Sequence, residues 1–373
     1  MVRDIFMKTF LFISPVDFDN ANLTGAHRRY LELIDSVSQE NKVIFISSST
    51  KIFEENINIR LIRLYGKEGG GLPAHIDGMR RMIHSLMKMK KVISYDYAIA
   101  FRPSDVICYK ICGYNRVNAL FREDLINYLK AINTSNLKIR YFTIQERIAV
   151  KYADKIIVQC KNDRLNLILR NRKYCKNLEQ KVYIQINNAN ASWMNNDVLQ
   201  KAYIDDEITR ILFIGEFSDE RKGQGLLLPA VARLLDENYK IELYIAGSGK
   251  QLNNYKEKYK KYEQIHFCGR LKDISEYFSK CDFEIVPSLI DSCPNTILEG
   301  LNSGIAVYGS NTGGIPDLLE EEYLFEPSSD AIYEFIKNLI QTKRYRSDSE
   351  KQIALKDRLT FDWGSRIVNI IKK

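Results

Sequence analysis

Short apolar runs alternate with longer amphipathic stretches along most of this chain. Phe10 to Ser14, Lys42 to Ile46, Ile57 to Arg63, Tyr97 to Phe101, Arg116 to Leu120, Lys155 to Gln159 and Val182 to Gln185 are rich in Ile, Val and Phe and predict buried strands. Gly25 to Gln39 predicts the first helix. Asn195 to Thr209 is polar and suits a linker between domains. The alternation then restarts with strand Ile211 to Ile214, a helix near Gly225 to Asp236, strand Ile241 to Ala246 and helix Leu252 to Tyr262. Strands near His266, Glu284 and Ala306 follow, each trailed by a helix. Strand and helix in strict alternation is the signature of parallel sheets with crossover helices. The chain therefore reads as α/β, with one domain over residues 1–204 and a second over residues 205–355.

The chain's length of 373 residues fits two domains, each with its own core. An apolar content of 45% and a charged content of 27% are those of a soluble globular protein. No stretch approaches the roughly 18 to 20 apolar residues of a spanning helix. Charges within Met1 to Lys8 speak against a secretory signal. The seven cysteines have no zinc-type spacing, and Cys108 and Cys112 share a helical face, so all read as reduced thiols of a cytoplasmic protein.

Charge is shared unevenly. Residues 1–204 hold 32 Lys and Arg against 19 Asp and Glu, a net of +13, whereas residues 205–373 hold 23 against 28, a net of −5. The first half is expected to face something negative, such as an anionic membrane surface or a lipid-diphosphate acceptor. A sharper candidate is Gly78 to Val92, where Met79, Met82, Ile83, Leu86, Met87 and Met89 interleave with basic residues. That composition suits a helix at a membrane interface, and core packing explains the same methionines equally well.

The candidate chemistry centres on Pro287 to Gly300. The apolar run Phe283 to Val286 ends in Pro287-Ser288, a polar loop carries Asp291, and a helix opens at about Pro294 with Glu299 on it. Two carboxylates thus converge at the carboxyl end of a strand, beside a helix amino terminus that attracts anions. A ligand that is both anionic and rich in hydroxyl groups would use both features, and a nucleotide sugar is one.

Asp291-x7-Glu299 resembles the paired acids of family 4 of the retaining glycosyltransferases. The resemblance is strongest over about residues 205–330. It departs at the first acid, which is Asp291 where the family usually has Glu, and at Ser292 to Asn295, which replace a glycine-rich loop. It implies the GT-B fold, two Rossmann-like domains with parallel sheets facing a cleft. It also implies that residues 356–373, with Phe361-Asp362-Trp363 and a helix over Ser365 to Lys372, return to the first domain.

Carried over residue by residue, the resemblance makes Glu299 the partner of the ribose hydroxyls and Asp291 that of the transferred sugar. The amides of Asn295 and Thr296 meet the diphosphate. Lys222 of Gly215 to Gly223 matches a family lysine that neutralises the diphosphate. The family arginine just after Gly215 is replaced here by Glu216, and Arg221 is the candidate for the missing cation. Gly25 of Thr24-Gly25-Ala26, Gly215, and Gly247 of Gly247-Ser248-Gly249 stand at the family's glycine turns. Arg270 stands where the nucleobase is held. The family histidine after the fifth strand is absent from Asn118 to Asp124, and Arg122 or Glu123 takes the acceptor side. His27, His75 and His84 read as packing or surface residues.

The resemblance implies retaining transfer of a hexosyl group from a nucleoside-diphosphate sugar to a glycan or lipid-linked acceptor in polysaccharide assembly. It requires no metal and no further cofactor, since fixed cations replace them. Asp17-Phe18-Asp19 has the form of a metal-binding pair from another fold, without that fold's element order. No Gly-x-Gly-x-x-Gly follows the first strand, which excludes a nicotinamide enzyme, and no nucleic-acid module is present. A ligand-binding relative without turnover and a phosphorylase of the same fold stay open.

Overall fold

A computed structural model describes residues 7–19, 24–49, 52–53, 56–65, 74–191, 203, 206–271 and 273–373. The chain forms two units by contact clustering. One comprises residues up to Lys130, Thr134–Ile186 and Asp362–Lys373; the other comprises Ala131–Asn133 and Asn187–Phe361. The expected linker over 195–209 and the expected boundary at 204–205 fall mostly or wholly outside the described residues. Residues 187–191, which the sequence suggested belong to the first domain, cluster with the second unit.

The first unit holds a seven-stranded sheet built from β1 (Thr9–Ser14), β2 (Lys42–Ser47), β3 (Ile59–Arg63), β4 (Tyr97–Ala100), β5 (Val117–Leu120), β6 (Lys155–Val158) and β7 (Val182–Ile184). All pairings are parallel, in the order β3-β2-β1-β4-β5-β6-β7. Phe10, Leu11, Phe12 and Ile13 of β1 are all fully buried, as a central strand covered on both faces requires. β3 starts two residues later than its apolar pattern suggests. Asn56 folds the chain back there, accepting the Ile59 N–H on its backbone carbonyl and the Asn58 N–H on its side chain, and Ile57 is left exposed.

The methionine-rich segment is the helix Ala74–Met89. Met82 and Leu86 are buried, and Met79, Ile83 and Met89 pack against the same core; Met87 is exposed. Its apolar face is therefore committed to the sheet, and core packing accounts for the methionines.

The last helix, Trp363–Lys372, belongs to the first unit. Asp362 caps its start by accepting the Ser365 N–H at 2.9 Å, and Lys155 Nζ donates to the terminal carbonyls of Ile370 and Ile371. A Cβ at Gly364 would lie 1.9 Å from Ser36 Oγ on the Gly25–Ser38 helix, so the two helices meet at van der Waals distance only because residue 364 is glycine.

The second unit holds β8 (Thr209–Ile214), β9 (Ile241–Ala246), β10 (Ile265–Gly269), β11 (Phe283–Val286), β12 (Ala306–Ser310) and β13 (Leu324–Phe325), all parallel in the order β10-β9-β8-β11-β12-β13. The helix expected over 252–262 stops at Lys258. Tyr259 turns in to be buried, and the Tyr262 N–H closes onto its carbonyl to lead into β10. Strand order reverses between β8 and β11, which are register neighbours. The segments leaving their carboxyl ends stand where such sheets usually hold their ligand crevice. Those segments are 215–223 and 287–302, which carry most of the candidate residues.

Candidate functional site

Beyond β8, Phe217 is fully buried and anchors the loop. Asp219 accepts the Arg221 N–H at 3.0 Å and so heads a 3-10 turn over Glu220–Lys222. Gly223 ends the turn at φ 77°, and a Cβ there would lie 1.8 Å from the Pro287 carbonyl oxygen. Only glycine permits both the left-handed backbone and this approach. The Leu289 N–H then donates to the Arg221 carbonyl at 2.7 Å, which fastens the turn to the loop beyond β11.

That loop is held just as closely. Asp291 Oδ1 accepts the Cys293 N–H at 3.2 Å, and the Asp291 carbonyl accepts the Gly314 N–H at 2.8 Å. The Ser288 carbonyl accepts both the Ser310 and the Thr312 hydroxyl. Lys222 Nζ donates to Asp291 Oδ2 at 2.5 Å, with the two side chains only 15% and 14% exposed. Two residues 69 positions apart in sequence thus form one ion pair.

The helix after the loop is Asn295–Asn302, with Pro294 as its extended N-cap rather than its first helical residue. The first amides of any helix lack intrahelical acceptors, and those of Asn295 and Thr296 are among them here. Asn187 Nδ2 donates to Asn295 Oδ1 at 3.2 Å and lies 3.4 Å from the Cys293 carbonyl. The fully buried Asn187 therefore braces the helix start, a role with no signal in the sequence. Thr296 Oγ1 is buried without a hydrogen-bond partner. Glu299 is half-buried one turn further on.

Glu284 was legible only as part of an apolar run. It lies in β11 fully buried, and neither carboxyl oxygen has a hydrogen-bond partner. Burial pushes its carboxyl well above the usual value, the Glu299 charge adds to this, and Lys222 partly opposes it.

Arg221 faces two acids, with Nη2 3.8 Å from Glu216 Oε2 and Nε 3.7 Å from Asp219 Oδ1. Glu216 itself is more than half exposed and accepts the Ser218 hydroxyl. A Cβ at Gly247 would stand 1.8 Å from the Gly215 carbonyl oxygen, so these glycines serve a backbone crossing at the ends of β8 and β9. Arg270 is exposed just beyond β10.

In the first unit Gly25 is exposed at the first position of its helix, capped by Thr24, whose hydroxyl accepts the His27 N–H. Arg122, just past β5, sits between the rings of Tyr30 and Trp363, 5.9 and 5.8 Å from their centroids, and Glu123 beside it is exposed. Burial, with Arg102 adding, holds His27 and His75 below the usual histidine value. Asp17 and Asp19 each accept a backbone N–H, from Asp19 and Ile52. Among the described residues no group of three or more His, Cys, Asp or Glu is arranged to hold a metal ion, and no helix is long and apolar enough to cross a membrane.

Residues 208–342 match the family model for glycosyl transferases group 1. Protein CapJ of Staphylococcus aureus is 30% identical over 146 residues, which are 38% of this chain and 37% of that protein. The O-antigen biosynthesis glycosyltransferase WbnH of Escherichia coli is 24% identical over 144 residues, 38% of this chain and 40% of that protein. The matched stretches therefore span well under half the length of these relatives. Among solved structures, Anabaena HepE in complex with UDP-glucose superposes with a TM-score of 0.70 at 14% identity, over 98% of this chain and 99% of that one. Residues 208–342 are thus similar to the glycosyl transferases group 1 family, in a chain whose two parallel-sheet units have the GT-B fold.

Proposed function

We propose that the protein is a retaining glycosyltransferase that moves a hexosyl group from a nucleoside-diphosphate sugar to a glycan or lipid-linked acceptor in cell-surface polysaccharide assembly. The observation that carries the reading is the Lys222–Asp291 pair at the strand-order reversal, next to the start of the Asn295–Asn302 helix. A diphosphate at that helix start would meet backbone amides and the Lys222 ammonium. It would compete with Asp291 for Lys222, and the displaced carboxylate would then accept hydroxyls of the transferred sugar. Stabilising the departing diphosphate in this way acts where charge develops, and needs no metal. Glu299, one turn along the helix, would take the two ribose hydroxyls.

WbnH and HepE, by their descriptions an O-antigen glycosyltransferase and a protein that binds UDP-glucose, support this setting. The acceptor would lie at an anionic membrane surface. The helix Asn136–Tyr152 of the first unit leaves Leu137, Tyr141 and Ile144 exposed at spacings of four and three, interleaved with the exposed Lys138 and Arg140. An apolar stripe with basic flanks fits an anionic bilayer interface.

A thermal-shift screen of UDP, GDP, ADP and their sugars, followed by a transfer assay with those that bind, tests the reading. Stabilisation by at least one nucleotide sugar is expected. A chain that none of them stabilises is not this enzyme. Glu299→Ala is expected to weaken donor binding by about 1.5–3 kcal/mol, the worth of charge-assisted hydrogen bonds; equal affinity by calorimetry would remove Glu299 from the site. A second reading, a donor-binding protein without turnover, draws on the two acids beside Arg221, which offset the cation expected to assist Lys222. Binding without transfer or hydrolysis would favour it.

A further inference from the structure

The sequence makes room for Glu284 at a place where an apolar side chain would pack at no cost. Its register neighbours, Leu212 on β8 and Val307 on β12, are apolar. The helix facing it presents Gly300, and a Cβ there would lie 2.2 Å from Glu284 Oε2 and 2.7 Å from Val307 Cγ2. The carboxyl thus fills a notch that exists only because residue 300 is glycine. Two charged groups act on it, Glu299 from that helix and Lys222 from the 3-10 turn. Both belong to the crevice described above.

We infer that Glu284 is a positioning residue for the donor site, a carboxyl group held against Gly300, the residue next to Glu299, through which donor binding becomes proton-dependent. The inference rests on the donor reading above. With its proton on, Glu284 adds no charge, and Glu299 meets the ribose as the anion of that pair. When the proton leaves, a second negative charge appears against Gly300, next to Glu299, in a medium of low dielectric, where like charges repel strongly. It also draws on Lys222 and opposes the diphosphate. Donor affinity therefore falls as pH rises through the Glu284 titration, which burial places well above the ordinary glutamate range. By reciprocity, bound donor makes Glu284 hold its proton more tightly.

The test is calorimetric titration of the wild type and Glu284→Gln with UDP, GDP and ADP across neutral to alkaline pH. Ionisation of the nucleotide is common to both proteins and cancels in the comparison. For the wild type the dissociation constant of the nucleotide that binds is expected to rise with pH by up to about tenfold per unit, the limit for one coupled proton. Glu284→Gln cannot ionise and is expected to lack that rise. Parallel profiles would overturn the inference and leave the donor reading standing; failure of all three nucleotides to bind the wild type would overturn both. Should Glu284→Gln not fold, Glu284→Leu replaces it as a non-titrating side chain of similar size, with the same flat profile expected and the same parallel profile fatal.

Discussion

Lys222 and Asp291 hold each other's charge, and this decides how either can be used. Both side chains are largely shielded from solvent, so their attraction is screened less by salt than that of an exposed pair. In the proposed donor site, an incoming diphosphate would have to outcompete Asp291 for the ammonium group. Asp291→Asn removes the competitor while keeping the size of the side chain. It is expected to tighten binding of the free nucleoside diphosphate about threefold to tenfold, roughly 0.6–1.4 kcal/mol, while lowering transfer, because the sugar loses its carboxylate. Calorimetry and a transfer assay on the same preparation check both halves. Weaker nucleotide binding by the variant would show that Asp291 supports Lys222 rather than competing with it. Asp291 and Glu299 were nameable from residue type and spacing, and Lys222 from the family resemblance of Gly215 to Gly223. Glu284 and Asn187 were not, because what singles them out is a missing partner in one case and a brace over 108 positions in the other.

At the scale of elements, the period of apolar residues told strand from helix in the segments it named, and most of their ends fell within two residues of expectation; the helices Pro103–Ile111, Leu125–Ala131, Asn136–Tyr152 and Lys161–Asn171 were not among them. It could not tell which way an amphipathic helix faces. The Ala74–Met89 helix and the Asn136–Tyr152 helix both mix apolar and basic residues; the first turns its methionines into the core, and the second leaves part of its stripe outside. The membrane expectation accordingly moves from the first helix to the second. Replacing Leu137 and Ile144 together by serine is expected to release the protein from vesicles containing phosphatidylglycerol. Loss of both side chains removes up to about 3–6 kcal/mol of apolar burial, well beyond what surface charge retains at high salt. Flotation with and without salt measures it. Equal flotation of the variant, or no flotation of the wild type, would take this helix out of the membrane reading.

For the whole molecule, the chain's last segment matters out of proportion to its length. Residues 362–373 belong to the first unit although 187–361 lie in the second, so the first unit is not complete until this segment is in place. Trp363, Ile367, Val368 and Ile371 are buried there, and Arg29 lies 6.0 Å from the Trp363 ring centroid. At about 1.5–3 kcal/mol for each large apolar side chain, deletion of 362–373 is expected to remove on the order of 5 kcal/mol or more, comparable to the net stability of a domain. Circular dichroism melts and limited proteolysis of the deletion would show the first unit protease-sensitive. A melt like that of the intact chain would mean the helix is dispensable. The uneven charge of the two halves needs no structure to be seen.

Local order along the chain settled the α/β class, the strands, and the chemical types gathered at the crevice, because strand and helix periods and turn residues are properties of neighbours in sequence. The tertiary structure alone decided two things: the pairing of Lys222 with Asp291 and the burial of an unpartnered acid against Gly300. Each depends on strand order. The reversal between β8 and β11 puts two distant loops side by side, and the order of strands leaves no periodic trace in the sequence.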